Sequence, residues 1–486
     1  MKKNHGYATV YLSLTMGILL SLLFTLIEGV RIQTTRMETE SVTDVALFST
    51  FAEYNRALLE QYDLFFIDSS YGRGQPELEK VKQRLLHYMN KNFHKGGIVA
   101  GVDLTGLSAD NADFPEYRIA SDQSGDVVKS QAIEYYKDKT GLSYIDGILP
   151  NISMIQNQEA SSADLMDQWD SISEQINELI EEKRRELLEQ ASQSGEEIDT
   201  DLSLDNPADQ VRAIKEMGIM SIALPEGSSL SSASIQAERY LSHRQPTLVG
   251  NKGLQEPVDG ITDTLIFEKY LMEKCGNYRE KKENKVLSYQ IEYILFGENE
   301  DTQNLENTLK RILAIREAAN MMYLFSDSGK QAEADLTATV ITVALGIPGL
   351  QELVKLSLLF AWGYAESVKD IRILLDGGRV PIGKSDSTWN TPFLQLINFP
   401  AFLGQYHASS DGMNYQDYLE TFLFLEGNRD RNYRFMDLCE MNVQKTAGNE
   451  NFRMDGCIDY LKASCNVSSS LGYGYEITRE YQYCEN

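Results

Sequence analysis

The spacing of hydrophobic and polar residues changes along the chain. The first long segment contains no charged residue. Tyr7–Ile27 carries no Asp, Glu, Lys or Arg, and Lys2 and Lys3 precede it. As a helix this segment would span roughly 30 Å, which matches the hydrocarbon core of a bilayer. We therefore predict a transmembrane anchor at residues 7–27, with residues 1–6 as a cytoplasmic tail.

The alternative for this segment is a cleaved secretory signal. The apolar run is long for such a signal, and the following "TLIEGVRIQ" offers no cleavage site of the small-x-small kind. Lys2 and Lys3 before the span, against mixed charges after it, favour an amino terminus inside the cell. We therefore expect a single-pass protein of the cell membrane, with the bulk of its chain extracytoplasmic.

A helical period follows the anchor. In "TDVALFSTFAEYNRALLEQYDLFF", apolar residues such as Val45, Phe48 and Leu58 recur at intervals of three, four and seven. This spacing predicts that the anchor continues as an amphipathic helix, similar to the long, half-buried first helix of a pilin. Residues 96–147 mix short apolar runs with Gly, Asp and Ser, which predicts small strands and turns. Residues 28–160 are thus predicted as a membrane-proximal α+β region.

Residues 161–234 combine a second helical pattern with a linker. The apolar residues on one predicted helix face are Leu165, Trp169, Ile172, Ile176, Leu179 and Leu187. Because the repeat is short, we favour a packed amphipathic helix, and a protruding coiled-coil arm is the alternative. The acidic, Ser-rich and non-periodic residues 192–234 predict a linker and the best domain boundary.

Residues 235–486 are predicted as a mostly helical domain that ends in a β-strand. One helix face carries Leu305, Leu309, Ile312, Ile315, Ala319 and Met322. The next apolar stretch is divided by Pro348, Glu352 and Lys355, which predicts a buried helix pair rather than a second membrane span. Strict alternation over Tyr473–Tyr483 predicts a strand. The fold class expected for the whole chain is α+β.

The amino-acid composition limits the classes of partner that the protein is expected to bind. The net charge is −27, from 72 acidic and 45 basic residues, so phosphate backbones would be repelled and nucleic acid is not an expected partner. Only 5 histidines are present, four of which, His87, His94, His243 and His407, are scattered singly through the chain. We expect no metal, no cofactor, no catalytic residue and no identified small-molecule substrate.

One stretch matches a nucleotide-binding pattern. "GRVPIGKS", Gly378–Ser385, fits G-x-x-x-x-G-K-[ST], which in P-loop proteins leaves a buried strand and enters a helix. Here a helix-like segment ending in two glycines comes before it, and "DSTWNTP" after it has no helical period. We therefore predict that this segment is a connector and that its match to the pattern is due to chance. We also predict that the protein is not an enzyme. The alternative is an NTPase that uses Lys384 and Ser385.

The cysteines cluster toward the end of the chain. Cys439, Cys457, Cys465 and Cys484 lie together in sequence, and Cys275 lies apart. In an extracytoplasmic domain the four could form two disulfides, with three pairings open. Reduced, partly buried thiols are the alternative.

Several stretches resemble known proteins. "GYATVYLSLTMGILLSLLFTLIEGVRIQ" resembles the TadE/TadG-like anchor of proteins encoded beside Tad-type (Flp) pilus genes in Gram-positive bacteria. "IEYILFGENEDTQNLENTLKRILAIREAANMMYLFSD", "AWGYAESVKDIRILLDGGRVPIGK" and the tyrosine-rich last strand are similar to one uncharacterised family, a domain of unknown function. The resemblance implies a pilus-associated, pseudopilin-like protein, and it supplies no catalytic residues.

The sequence departs from the prepilin pattern at one position. A cleavable type IV prepilin has Gly at the processing site and Glu five residues later, whereas Tyr11 stands at that place after Gly6. We expect a non-catalytic structural or assembly protein of a Tad-like pilus or envelope system. Its partners would be the lipid bilayer, through residues 7–27, and other pilus or envelope proteins. An extracytoplasmic enzyme of unrecognised type and a surface adhesin are the alternatives.

Overall fold

The computed structural model describes residues 5–93, 106–140, 149–194, 214–225, 227–344, 348–470 and 472–483. These residues form a mixed α+β protein in which helices predominate, so the predicted fold class is confirmed. The α-helices are α1 (His5–Phe51), α2 (Arg56–Tyr62), α3 (Leu78–Phe93), α4 (Asp122–Thr140), α5 (Leu149–Ser194), α6 (Ile219–Ala223), α7 (Ile261–Lys274), α8 (Gln290–Phe296), α9 (Asp301–Ser326), α10 (Ser328–Ala344), α11 (Gln351–Leu375), α12 (Tyr415–Leu425) and α13 (Asn428–Gln444). The strands are β1 (Ile67–Asp68), β2 (Leu107–Ile119), β3 (Cys457–Ser469) and β4 (Gly474–Gln482). Short 3₁₀ helices cover Ala237–Arg239, Pro348–Leu350, Asp386–Thr388, Phe393–Phe402 and Met454–Gly456.

The chain divides into two compact units, each built from separate segments. Unit 1 comprises residues 1–135, 240–258 and 435–486, and unit 2 comprises residues 136–239 and 259–434. Each unit therefore combines segments that are distant in sequence. The domain limits expected from the sequence stay predictions.

Unit 1 contains an antiparallel sheet in which β3 is the central strand. β3 pairs with β1, β2 and β4, and Cys465 on it stands opposite Ala112 of β2 and Ile477 of β4. β4 confirms the strand that strict alternation predicted at Tyr473–Tyr483. The tyrosines of β4 help to hold this strand in position, because they pack against the helix that covers the sheet.

That covering helix is the second half of α1. Leu47 and Phe51 are 2% and 1% exposed and share a core with residues of α3 and the sheet. Phe51 contacts the rings of Tyr481 and Tyr483 at centroid distances of 4.6 and 5.0 Å. Arg479 Nε also donates to Asp44 Oδ1 at 2.9 Å. The predicted continuation of the apolar helix into an amphipathic one is confirmed as far as Phe51. The predicted face is wrong in part, because Val45 and Phe48 are 48% and 59% exposed and Leu58 lies in the separate helix α2.

Unit 2 is a helical assembly around α11. Nearly every residue of α11 from Ser357 to Leu375 is buried, and α5, α9 and α10 pack against it. On α5, Trp169 and Ile176 are 5% and 1% exposed, which confirms the packed amphipathic helix. The described part of the predicted stripe faces inward, because α9 and α11 cover it.

Two predictions about secondary structure need correction. Met322 is 49% exposed, and its neighbour Met321 is buried at 2%, because the buried face of α9 shifts by one position near its end. Residues 107–140 form the long strand β2 and the helix α4 rather than several small strands and turns. The remaining parts of that stretch, and residues 195–213 of the predicted linker, lie outside the described residues.

A second membrane span is not found in the described part of the chain. There α1 is the one helix long and apolar enough to cross a membrane. The apolar residues of α11 are instead buried within unit 2, as the interrupted hydrophobic pattern predicted.

Candidate functional site

The apolar first half of α1 is the first candidate site. It contains a stretch with a mean hydropathy of 2.2, and none of that stretch is buried. Leu12, Ile18 and Phe24 are 70%, 68% and 64% exposed. A helix with this length and composition can span a bilayer, where such side chains would be solvated by lipid.

The second candidate is the segment "GRVPIGKS". It follows α11 through Gly377, whose φ of +91° suits glycine, and Gly378 N donates to Ile373 O at 2.8 Å to close the helix end. The next element is the short 3₁₀ helix Asp386–Thr388. The predicted connector after a helix is therefore confirmed, and a strand-loop-helix arrangement for phosphate binding is not formed here.

The backbone amides of this segment are used inside the protein. Val380 N donates to Met413 O at 2.9 Å, and Ser385 N donates to Thr388 Oγ1 at 2.9 Å. In a P-loop several such amides converge on the phosphates instead. The pattern match at Gly378–Ser385 therefore does not bring phosphate-binding geometry with it.

Lys384 is the centre of a buried ionic cluster in unit 2. Its ammonium is 1% exposed and donates to Glu366 Oε1 at 2.5 Å and to Asp370 Oδ1 at 2.6 Å. Arg316 Nε donates to the second oxygen of Asp370 at 3.0 Å, and Asn320 Nδ2 donates to the same oxygen at 3.1 Å. Glu366 and Asp370 are both fully buried. We call these five residues the Lys384 cluster.

The charges of the Lys384 cluster balance, with two cations and two anions. The amide of Asn390 donates to both oxygens of Glu366, at 3.0 and 3.1 Å. Burial would raise the pKa of Asp370, but Lys384 and Arg316 outweigh burial and hold that pKa below its usual value. Because every carboxylate oxygen already accepts a hydrogen bond, the arrangement fixes the loop to α11 and leaves Lys384 committed to protein carboxylates.

A cleft of about 200 Å³ lies beside the Lys384 cluster. Its lining is Asp370, Ile373, Arg379, Val380, Pro381, Lys384, Ser387, Thr388, Asn390, His407, Ala408 and Ser409. Arg379 pairs with Asp417 at 3.2 Å, and the other charges belong to the cluster. The cleft therefore offers hydrogen bonds rather than unbalanced charge. It also contains His407, whose solitary position in the sequence gave no indication of this neighbourhood.

Unit 1 has a buried ionic cluster of its own. Arg244 donates to Glu440 Oε1 at 2.7 Å and to Asp455 Oδ1 at 2.8 Å, and Met454 N donates to Glu440 Oε1 at 2.9 Å. Burial raises the pKa of Glu440 to about 8, and the nearby Asp437 and Asp455 add to the effect against Arg244. Glu440 therefore keeps its proton near neutral pH.

The cysteines are buried where the structure describes them. Cys275, Cys439, Cys457 and Cys465 are at most 1% exposed. Burial raises the pKa of the Cys275 and Cys465 thiols to about 12 and that of Cys457 well above its usual value, which makes these thiols poor nucleophiles.

Strand geometry restricts the predicted disulfides. Cys457 and Cys465 lie on the same strand β3, roughly 26 Å apart at 3.3 Å per residue, which is far beyond disulfide reach. The pairing that joins these two is therefore wrong. Cys484 lies outside the described residues, so the pairings that involve it with Cys457 or Cys465 stay predictions.

Sequence reasoning did not find the partners of Lys384. Glu366 and Asp370 stand one turn apart in a largely apolar stretch of α11, close to Lys369 and Arg372, and carboxylates buried in such a stretch need a cation. That cation comes from the loop after the helix, and Arg316 comes from α9. Of the other histidines, His87 and His243 are not among the residues that line this cleft, and His94 is outside the described residues.

Fold and site together define an α+β protein with an exposed amino-terminal apolar helix and buried ionic clusters. A family described as "Family of unknown function (DUF5702)" matches residues 197–469, more than half of the 486 residues, and the chain belongs to this family. The matched range includes the Lys384 cluster and β3 and begins after α1. No curated protein and no solved structure matches the chain.

Proposed function

We propose that this protein is a membrane-anchored structural or assembly protein of a Tad-like pilus or envelope system, with its bulk outside the cytoplasm. The observation that carries the proposal is the division of α1 into an exposed apolar half and a half that packs against a sheet. An apolar surface of this length is unfavourable in water and favourable in a bilayer. The role would be pseudopilin-like and non-catalytic.

The continuity of α1 supports a structural role. His5–Phe51 is one unbroken helix, so unit 1 is held close to the anchor without a flexible linker between them. A long first helix that is apolar at its start and packed on an antiparallel sheet at its end resembles the pilin arrangement. Lys2 and Lys3 support an amino terminus inside the cell.

The Lys384 cluster supports the non-catalytic part of the proposal. Lys384 would be the phosphate-binding residue of an NTPase, but it is buried between Glu366 and Asp370. Binding of Lys384 to a nucleotide would leave the buried Glu366 without its cation and Asp370 with Arg316 alone, which is strongly unfavourable.

The first experiment is a topology measurement. One version of the protein carries a tag after Asn486, and a matched version carries the same tag before Met1. Protease is added to intact, wall-stripped cells. We expect the tag after Asn486 to be digested, whereas the tag before Met1 survives until the membrane is permeabilised. Survival of the carboxyl-terminal tag in intact cells would overturn the proposed orientation.

The assembly role needs a separate test. We expect that deletion of the gene reduces or alters surface filaments seen by electron microscopy, and that the intact gene restores them. A complementing gene whose product lacks residues 7–27 should fail to restore them. Unchanged filaments in the deletion strain would overturn the pilus role and leave the membrane anchor standing.

A further inference from the structure

The part of α1 that follows the apolar span buries threonines beside the apolar Ala46, Leu47 and Phe51, and it exposes other apolar side chains. Its buried face carries Thr35, Thr39, Thr43 and Thr50, each at most 1% exposed. Their hydroxyls donate to carbonyl oxygens of the same helix, for example Thr43 to Thr39 O at 2.7 Å. A surface helix ordinarily turns its apolar side chains inward and its polar ones to water.

The exposed side of the same segment carries a line of uncharged side chains. We call this line the outer stripe; its members are Val30, Thr34, Met37, Ser41, Val45 and Phe48. The intervals of three and four residues place them on one face of a 3.6-residue helix. Its four apolar members are between 48% and 67% exposed. Thr34 Oγ1 donates to Val30 O at 2.9 Å, which leaves the methyl group of Thr34 available for packing.

We propose that the outer stripe packs against the outer stripe of a second copy of this chain, with the two α1 helices parallel. This proposal rests on the anchored topology of the proposed function. Every copy would enter the membrane in the same direction and to the same depth. Two neighbouring copies would therefore bring each stripe residue opposite its own equivalent, without a search for register.

The charges beside the outer stripe allow a second copy to approach. The chain has a net charge of −27, so most surfaces of two copies repel each other. Next to the stripe, however, Arg479 pairs with Asp44 at 2.9 Å and with Glu40 at 3.4 Å, and Arg36 also pairs with Glu40 at 3.3 Å. Asp44 and Glu40 beside the stripe are thus already paired within each copy.

The small size of the contact makes the membrane necessary. A single helix-helix contact of this length buries less than the roughly 1,200 Å² typical of a stable complex in solution. Confinement of two parallel anchors in one bilayer raises their effective concentration and compensates for the small area. Thr34 and Ser41 allow the helices to approach closely, and Met37, Val45 and Phe48 supply the apolar contact.

Site-specific cross-linking tests this proposal in native membranes. Single cysteines are placed at Met37 and Val45 on the stripe, and at Arg36 as a matched control. Arg36 is at nearly the same height, its side chain is 66% exposed, and it points about 100° away around the helix. A short bismaleimide should give about tenfold more dimer in M37C and V45C than in R36C. Wild type measures the background from the native cysteines.

Each outcome decides the proposal. Dimer formation in M37C and V45C, reduced about tenfold when Phe48→Asp is added to M37C, supports it. Equal yields in R36C and M37C, absence of dimer above wild type, or cross-links only to a protein of another mass would overturn it. Because both tested positions are exposed, equal unfolding midpoints of M37C and R36C confirm that both variants fold.

A labelling measurement distinguishes failure of the outer stripe proposal from failure of the proposed topology. A membrane-impermeant maleimide applied to intact, wall-stripped cells should label R36C. If R36C is labelled and M37C does not cross-link, the outer stripe proposal fails and the extracytoplasmic location stands. If M37C cross-links but R36C is labelled only after permeabilisation, the copies associate and the proposed location is wrong.

Discussion

At Lys384 one ammonium group bridges two carboxylates that the folded chain has removed from water, and Arg316 supplies the second positive charge. Glu366 and Asp370 are one turn apart on α11 and would repel each other without a shared cation. The cluster therefore holds the loop after α11 against the helix, and the conspicuous lysine of "GRVPIGKS" has a structural explanation.

Replacement of Lys384 tests this explanation. We expect Lys384→Met to lower the free energy of unfolding by about 3–5 kcal/mol, because it leaves an uncompensated buried charge. The same change at Lys310, which forms an exposed pair with Glu306 on α9, should cost below about 1 kcal/mol. The measurement is chemical unfolding of the full chain in detergent. A loss at Lys384 no larger than at Lys310 would contradict the buried cluster.

Glu440 makes the stability of the protein depend on pH. Burial raises its pKa from the usual 4.5 to about 8. Between these two values the unfolded chain releases a proton that the folded chain keeps. The free energy of unfolding therefore falls as pH rises through this window and levels off above pH 8.

Replacement of Glu440 by a side chain that does not titrate should reduce the dependence of the free energy of unfolding on pH. Glu440→Gln keeps an oxygen to accept from Arg244 and Met454, and it stays neutral at every pH. We expect its unfolding midpoint, relative to wild type, to rise by a few degrees between pH 5 and pH 8. Glu178→Gln, on the exposed side of α5, makes the same chemical change and should show no such rise. A constant difference between E440Q and wild type across this range would show that Glu440 does not titrate there.

At the scale of elements, the sequence predicted those helices and strands that have one wet and one dry face. α5, α9 and β4 were found because a period of 3.6 or 2 records burial on one side. α4 was missed because its sequence, "DQSGDVVKSQAIEYYKDKT", is largely polar and begins with residues in left-handed conformations. Its helical state therefore depends on tertiary packing more than on pattern.

The candidate sites divide in the same way. The apolar half of α1 could be predicted, because a bilayer anchor depends on local composition alone. The Lys384 cluster could not, because its members come from two helices and a loop that only the fold brings together. The outer stripe could be predicted only in part, since its residues are visibly uncharged but the sequence did not show which side of α1 the sheet covers.

At the scale of the whole molecule, the apolar first half of α1 adds little to the packing of the other residues. The apolar stretch of α1 is entirely unburied, whereas the core of unit 1 begins with the later part of the same helix. Folding of the remaining chain should therefore be independent of the membrane. Membrane attachment and self-association, in contrast, should depend on the membrane.

Deletion of residues 1–27 separates these properties. We expect the shortened chain to stay soluble without detergent, to be monomeric by size-exclusion chromatography with light scattering, and to unfold at the same midpoint as the full chain in detergent. The reason is that the deleted apolar side chains make no buried contact in the protein. Aggregation, or a midpoint lower by several degrees, would mean that unit 1 needs its anchor to fold.

The central place of β3 also sets an order of events during synthesis. α1 leaves the ribosome first, but β3 and β4, which complete the sheet beneath it, lie beyond residue 456. All segments of unit 2 are translated before them. Unit 2 can therefore fold early, whereas the contacts between α1 and β4 form only when translation is almost finished.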